Sequence, residues 1–280
     1  MYASITSTGI YLPENVVSNE FFEKTLETSS DWIESRTGIK ERRFVKNGIT
    51  SSFMATEAIK SLMLQSNLKS EDIDLIIVST ITPDMMFPST ACLVQKKIGA
   101  INAWGFDLSS ACSGFIFALQ TGSAFIETKK YKKVIVVGVD TMSSILNFKD
   151  RNTCILFGDG AGAVLLEPST EHGLIDSILH IDGHGEEHLH MRGGGSLNKT
   201  SKFTLENNMH YVTQNGKVVF KNAVKGMTNT TKELMDKHSL NNNQIDLLIA
   251  HQANKRIIDS IAKHLKLEDE QVFINIEKYA

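Results

Sequence analysis

The feature that most constrains this chain is an internal repeat. Leu68 and Ile73-Asp74-Leu75-Ile76-Ile77 recur as Leu240 and Ile245-Asp246-Leu247-Leu248-Ile249 at a constant offset of 172 residues. An apolar run of strand length that returns in register points to two copies of one α/β unit. Further β-branched runs at Val134–Val139, Ala163–Glu167 and Val272–Ile276 alternate with stretches of helical spacing, the pattern of an α/β protein. Phe53, Met54, Ala58, Ile59, Leu62 and Met63 fall on one side of a helix, as do Ile257, Ile258, Ile261, Ala262 and Leu265. Both stripes read as core-facing.

With 280 residues, 41% apolar and 22% charged, the chain makes one large domain or two small ones. A net charge of −3 gives it no drive towards a polyanion, so nucleic acid is not an expected partner. The longest uncharged apolar stretches, such as Ile76–Ile81, are strand-sized, and no basic patch leads into an apolar run at the amino terminus. A soluble, cytoplasmic protein without membrane insertion is therefore predicted. Cys92, Cys112 and Cys154 form an odd set without zinc-ligand spacing, which argues against a disulfide framework or structural metal and leaves room for a nucleophile.

In the first copy, a strand ending near Leu108 runs through Ser109-Ser110-Ala111 into an apolar helix beginning around Cys112. Small neighbours allow a sharp turn and let a carbonyl reach the sulfur. A thiol at a helix N-terminus meets the positive end of the macrodipole, which predicts a depressed pKa, and the same N–H groups can hold an oxyanion. The competing reading is a small buried hydrophobe. Cys92 and Cys154, in apolar surroundings, fit that second reading better.

His251-Gln252-Ala253-Asn254 follows the strand Leu247–Ala250 and precedes the second amphipathic helix. It reads either as a polar pair at the carboxyl end of a strand, where imidazole can donate to developing charge, or as a capping segment with Asn254 as the cap. Phe157-Gly158-Asp159-Gly160-Ala161-Gly162-Ala163 has the wrong spacing for a dinucleotide loop and enters a strand, so close backbone packing is the better reading. His180, His184, His188 and His190 crowd together with Glu186 and Glu187, but lack helical metal-ligand spacing, and no metal site is predicted. In the second copy the strand ending near Ile276 passes into a turn, Glu277-Lys278-Tyr279-Ala280, and the helix that should follow is missing.

Taken together, Thr8-Gly9-Ile10-Tyr11-Leu12-Pro13, the Asp31–Arg43 stretch with Trp32-Ile33-Glu34-Ser35-Arg36-Thr37-Gly38-Ile39, the cysteine segment, the Phe157–Gly162 loop and His251-Gln252-Ala253-Asn254-Lys255-Arg256 resemble the 3-oxoacyl-[acyl-carrier-protein] synthase III family. The resemblance covers essentially the whole chain. It implies a thiolase-like α/β fold, duplicated units in a five-layered αβαβα arrangement, with halves 1–167 and 168–280 and the second unit incomplete. The sequence ends one position before the asparagine the family carries after its last-named strand. It is therefore expected to be part of a longer chain, and Asn254 matches a different family position.

The chemistry the resemblance implies is a decarboxylating condensation that begins fatty-acid synthesis. Cys112 takes an acyl group from acyl-CoA, and His251 stabilises the enolate that forms when malonyl on acyl carrier protein loses CO₂. Trp32 and Arg151 would clamp the adenine of CoA, with Arg36 on the phosphate side. Phe220, Lys221, Asn254 and Arg256 would line the pantetheine path, and Lys221, Lys255 and Arg256 a basic rim for the acidic carrier. Phe87, Met142 and Phe157 match the acyl pocket, Phe87 reaching across a homodimer. Acyl-CoA and phosphopantetheine-borne malonyl are substrates, and no permanently bound cofactor is expected. Two alternatives are a ketosynthase of a secondary pathway with a longer or aromatic acyl group, and a non-catalytic thiolase-fold partner subunit.

Overall fold

Leu75–Ser79, the strand of the first repeat copy, is buried at all five residues, as a strand covered on both faces must be. In the computed structural model, which describes residues 1–280, it belongs to a compact unit built from residues 1–15, 44–141 and 159–177. The strand order in its sheet is Tyr2–Tyr11, Asp159–Ser169, Val134–Thr141, Leu75–Ser79, Trp104–Leu108. The Leu75, Trp104 and Val134 strands run parallel, and Asp159–Ser169 is antiparallel to both its neighbours.

Alternate side chains of these strands serve two separate cores. Ile76, Val78, Ile135 and Val137 pack with Met54, Ala58, Ile59 and Leu62 of the Ser51–Ser66 helix. Leu75, Ile77, Val134 and Val136 face the other way, towards Ala118, Leu119 and Ile126 of the Gly114–Glu127 helix. Each such aliphatic side chain contributes roughly 1.5–3 kcal/mol by leaving water. Thr50 caps the first of these helices by accepting from the Phe53 N–H, and Asn67, at φ 52°, ends it.

The second unit comprises residues 16–43, 142–158 and 178–280. Its longest helix, Gly216–Lys237, packs Phe220, Val224 and Met227 against Ile257, Ile261 and Leu265 of the Lys255–Leu265 helix. The strands expected at Leu247–Ala250 and Val272–Ile276 are reduced here to one parallel bridge, Leu248 to Val272. Leu247 and Ile249 remain 47% and 69% exposed, so the apolar burial that stabilises a parallel ladder is absent from this face. A side chain takes over the ladder's role: Gln252 donates to the carbonyls of Ala250 and Phe273 and accepts from the N–H groups of Asn275 and Ile276. The turn expected after Ile276 is instead a short helix, Ile276–Tyr279. Arg43 donates to the Lys278 carbonyl and stacks on Tyr279, which fixes that helix.

Candidate active site

Cys112 stands at the end of the Trp104–Leu108 strand, in the single turn Ala111–Ser113 that leads into the Gly114–Glu127 helix. Ala111 has φ 45°, a left-handed conformation that a residue with a Cβ rarely adopts and that only the surrounding structure can enforce. A Cβ on Gly114 would lie 2.1 Å from Ser79 Oγ, so any side chain there would force the Ser79 hydroxyl to move. These two positions make the turn sharp and bring the helix start onto the strand ends.

Cys112 is an exposed residue. Its thiol is nevertheless held above its ordinary pKa, first because neighbouring protein displaces water and second because of the Asp140 carboxylate. This corrects the expected depression: backbone N–H groups do favour the thiolate here, but desolvation and a like charge outweigh them. Asp140 was not anticipated. It closes the Val134–Thr141 strand, where Oδ1 accepts from the hydroxyls of Thr80 and Thr82 and from the Ile81 N–H at 2.9–3.1 Å. Burial still pushes its carboxyl upward. The other cysteines divide: Cys154 is buried and held up to about 11, whereas Cys92 is exposed and not in the apolar setting expected.

In the second unit, His251 lies between the bridge at Leu248 and the helix starting at Lys255. Desolvation by surrounding protein lowers its imidazole pKa, favouring the neutral ring at neutral pH. Asn254 is the helix cap, its Oδ1 accepting from the Arg256 N–H at 2.9 Å, and its Nδ2 donates to the Arg36 carbonyl at 3.1 Å. Both of its side-chain polar atoms thus make a bond within the protein.

Trp32 and Arg36 share the helix Ser30–Thr37, which Ser29 caps by accepting from the Trp32 N–H. Both arginines named by the sequence lie against the indole: the guanidinium carbon of Arg151 is 5.0 Å from the ring centroid and that of Arg36 is 6.0 Å. Arg151 also donates to the Glu27 carbonyl. Gly38 ends the helix at φ 80°, and a Cβ there would stand 2.5 Å from Lys255 Cβ. The start of the Lys255 helix is therefore pressed against the end of the Trp32 helix, a packing requirement hidden in one glycine.

Arg256 lies over the Phe220 ring at 5.4 Å, and Lys221 is exposed beside it in sequence. Lys255, of the expected basic rim, is ion-paired: its ammonium bonds both carboxylate oxygens of Asp259 at 2.9 Å. Met142 is buried and Phe157 half-buried, both in segment 142–158 of the second unit. Phe87, in the first unit, is 83% exposed. Close packing in the glycine segment is needed at Gly158, where a Cβ would meet the Ala280 carbonyl, but Gly162 has open space. In the histidine segment, His180 pairs with Glu233 and His190 Nδ1 lies 3.0 Å from the Glu186 carbonyl.

An exposed cysteine at a left-handed strand-to-helix turn, on a mixed sheet with helices packed on both faces, is the arrangement of the thiolase-like class. The comparisons narrow this. The family model described as 3-Oxoacyl-[acyl-carrier-protein (ACP)] synthase III matches residues 106–183, and that of its C-terminal part matches residues 235–280. A β-ketoacyl-[acyl-carrier-protein] synthase III of Koribacter versatilis is 51% identical over 99% of this chain and 84% of its own length. The solved 3-oxoacyl-[acyl-carrier-protein] synthase III of Aquifex aeolicus is 42% identical with a TM-score of 0.91, covering 99% of this chain and 85% of that one. The solved priming β-ketosynthase of the R1128 polyketide pathway is 30% identical with a TM-score of 0.91, covering 100% and 83%.

The chain belongs to the 3-oxoacyl-[acyl-carrier-protein] synthase III family. It has the thiolase-like α/β fold and is an acyltransferase of the β-ketoacyl synthase III type, the class that begins fatty-acid synthesis, and not the inert partner weighed as an alternative. The model of the family's C-terminal part matches at residues 235–280, and the chain spans 84% and 86% of the length of two of the relatives that it matches.

Proposed function

We propose that this enzyme joins an acyl-CoA primer to malonyl carried on acyl carrier protein, through an acyl thioester on Cys112. The observation that carries the reading is the exposed Cys112 at the enforced turn ahead of the Gly114–Glu127 helix. In the first step the sulfur attacks the thioester carbonyl of acyl-CoA, the new C–S bond replaces the old one, and CoA leaves as its thiol with the proton from Cys112. In the second, malonyl loses CO₂, the resulting enolate carbon attacks the acyl carbonyl, and the C–S bond to Cys112 breaks as the C–C bond forms. A neutral His251 donates a hydrogen bond to the enolate oxygen, the role its lowered pKa supports.

Trp32 and Arg151 take the adenine of CoA between them, the guanidinium swinging outward to admit it, while Arg36 meets phosphate. Arg256 and Lys221, beside Phe220, receive the phosphopantetheine phosphate and the acidic carrier. Met142, Phe157 and, from a partner copy, Phe87 bound the acyl chain. The enzyme works as a homodimer in the cytoplasm and uses no permanently bound cofactor. No helix is long and apolar enough to cross a membrane.

The test is intact mass after incubation with acetyl-CoA and a panel of longer acyl-CoAs. A single acyl adduct on Cys112, absent from Cys112→Ala, supports the reading, and no adduct with any donor overturns it. Faster loading of a longer or aromatic donor than of acetyl would favour a secondary-pathway role, a reading supported by the likeness to the R1128 priming enzyme.

A further inference from the structure

Among the largest fully buried side chains one carries a charge: Arg42, at 0% exposure. Its hydrogen bonds go to three neutral oxygens, the Val17 carbonyl at 3.1 Å, Asn19 Oδ1 at 2.9 Å and the Ile155 carbonyl at 2.9 Å. The guanidinium also faces the Phe22 ring at 4.7 Å, and its buried Nε has no partner. Desolvation lowers its pKa to about 10. A buried cation held by neutral dipoles costs stability compared with an apolar residue of the same size, so what it fixes in place needs explaining.

Its partners lead to both sides of the nucleotide clamp. Ile155 belongs to the segment 142–158 that carries Arg151, and lies four residues beyond it. Asn19 turns its other side-chain atom, Nδ2, to the Ile39 carbonyl at 2.7 Å, while its backbone N–H bonds the Lys40 carbonyl. Those carbonyls follow directly on the Gly38 cap of the Trp32 helix. One guanidinium therefore ties the Arg151 segment to the exit of the helix that presents Trp32 and Arg36.

We propose that Arg42 is a positioning residue for recognition of the CoA nucleotide, setting the gap between Trp32 and Arg151. This rests on the reading of those two side chains as the adenine clamp. A wider or fluctuating gap weakens stacking on the nucleotide and leaves the chemistry at Cys112 unaltered.

Two donors separate the effects: acetyl-CoA, and acetyl-pantetheine, which ends before the nucleotide. Arg42→Lys keeps the charge but cannot reach three acceptors in a fixed fork. It is expected to raise KM for acetyl-CoA, and the Kd of free CoA by calorimetry, about five- to tenfold, with kcat and the KM for acetyl-pantetheine within about twofold of wild type. Asn19→Ala, which leaves the guanidinium in place and cuts its path to Ile39, should act in the same direction by about two- to threefold and serves if the lysine variant does not fold. Trp32→Ala is the control. If it raises the acetyl-CoA KM and neither Arg42→Lys nor Asn19→Ala does, or if those variants affect both donors alike, the positioning role is wrong. If Trp32→Ala leaves acetyl-CoA untouched, the clamp itself is wrong and the role of Arg42 falls with it.

Discussion

Asn254 uses one side chain to hold two helices: its Oδ1 accepts from the Arg256 N–H at 2.9 Å and its Nδ2 donates to the Arg36 carbonyl at 3.1 Å. The first bond caps the helix that follows His251, and the second ties that cap to the end of the helix carrying Trp32. The two functions are separable by substitution. Asn254→Asp keeps the capping oxygen and removes the donor, so stability should fall by only about 1 kcal/mol while the Kd for CoA rises. Asn254→Ala removes both and should cost about 2 kcal/mol. Urea unfolding midpoints and CoA titration by calorimetry check this, and equal stability of the two variants would show that the cap contributes nothing.

Asp140 adds its charge to desolvation, the larger cause, in holding the Cys112 thiol above its ordinary pKa. Because the thiol is held above its ordinary pKa by burial and by Asp140, most of it is protonated at neutral pH, and the rate of acylation should climb with pH through the alkaline range. Asp140→Asn removes the second of the two causes. The midpoint of the rate profile should move to lower pH, and alkylation by iodoacetamide at pH 7 should speed up accordingly. An unchanged midpoint would mean that desolvation alone holds the thiol up.

His251 should give the opposite limb. Its pKa is lowered by burial, so the neutral ring persists below the pH at which a free imidazole would take up a proton. Condensation should therefore hold constant across neutral pH and fall only in the acid range. The same shift has a stability consequence: the folded state resists protonation, so stability is retained above the unfolded imidazole's pKa and lost as pH falls through the folded one. His251→Ala should abolish enolate stabilisation and lower kcat by about 10²-fold or more while leaving acylation of Cys112 detectable by mass.

The sequence was readable where chemistry and periodicity coincide. Cys112 stood out because a small-residue turn follows an apolar run, and the buried strand Leu75–Ser79 because nothing polar interrupts it. Trp32 and Arg36 were picked out by the family resemblance, since an indole and a guanidinium four residues apart also suit an ordinary surface helix. Asp140 was hidden, since an acid closing a strand looks like any solvated charge until Thr80, Thr82 and Ile81 are seen converging on it. Arg42 was hidden for the same reason, being one arginine in Glu41-Arg42-Arg43, where alternation leaves its neighbours half-buried and itself in the core. The two strands of the second copy were misjudged because their periodicity reports what a strand would bury, and here Leu247, Ile249 and Phe273 stay exposed while Gln252 supplies the bonds.

Gly38 offers the sharpest separation of backbone conformation from contact. It has φ 80°, and a Cβ on it would lie 2.5 Å from Lys255 Cβ, whereas Gly48 has a similar φ of 88° with nothing within 4 Å. Gly48→Ala should thus report only the left-handed conformation, about 1 kcal/mol. Gly38→Ala carries that cost and must also push the start of the Lys255–Leu265 helix away, straining the Asn254 bond to Arg36. Its destabilisation should exceed that of Gly48→Ala by about 1–3 kcal/mol, within the range for overpacking a close contact, and its Kd for CoA should rise as well. Equal destabilisation by the two alanines in chemical unfolding would mean that the Lys255 helix yields freely, and that its approach to Gly38 does not position the clamp.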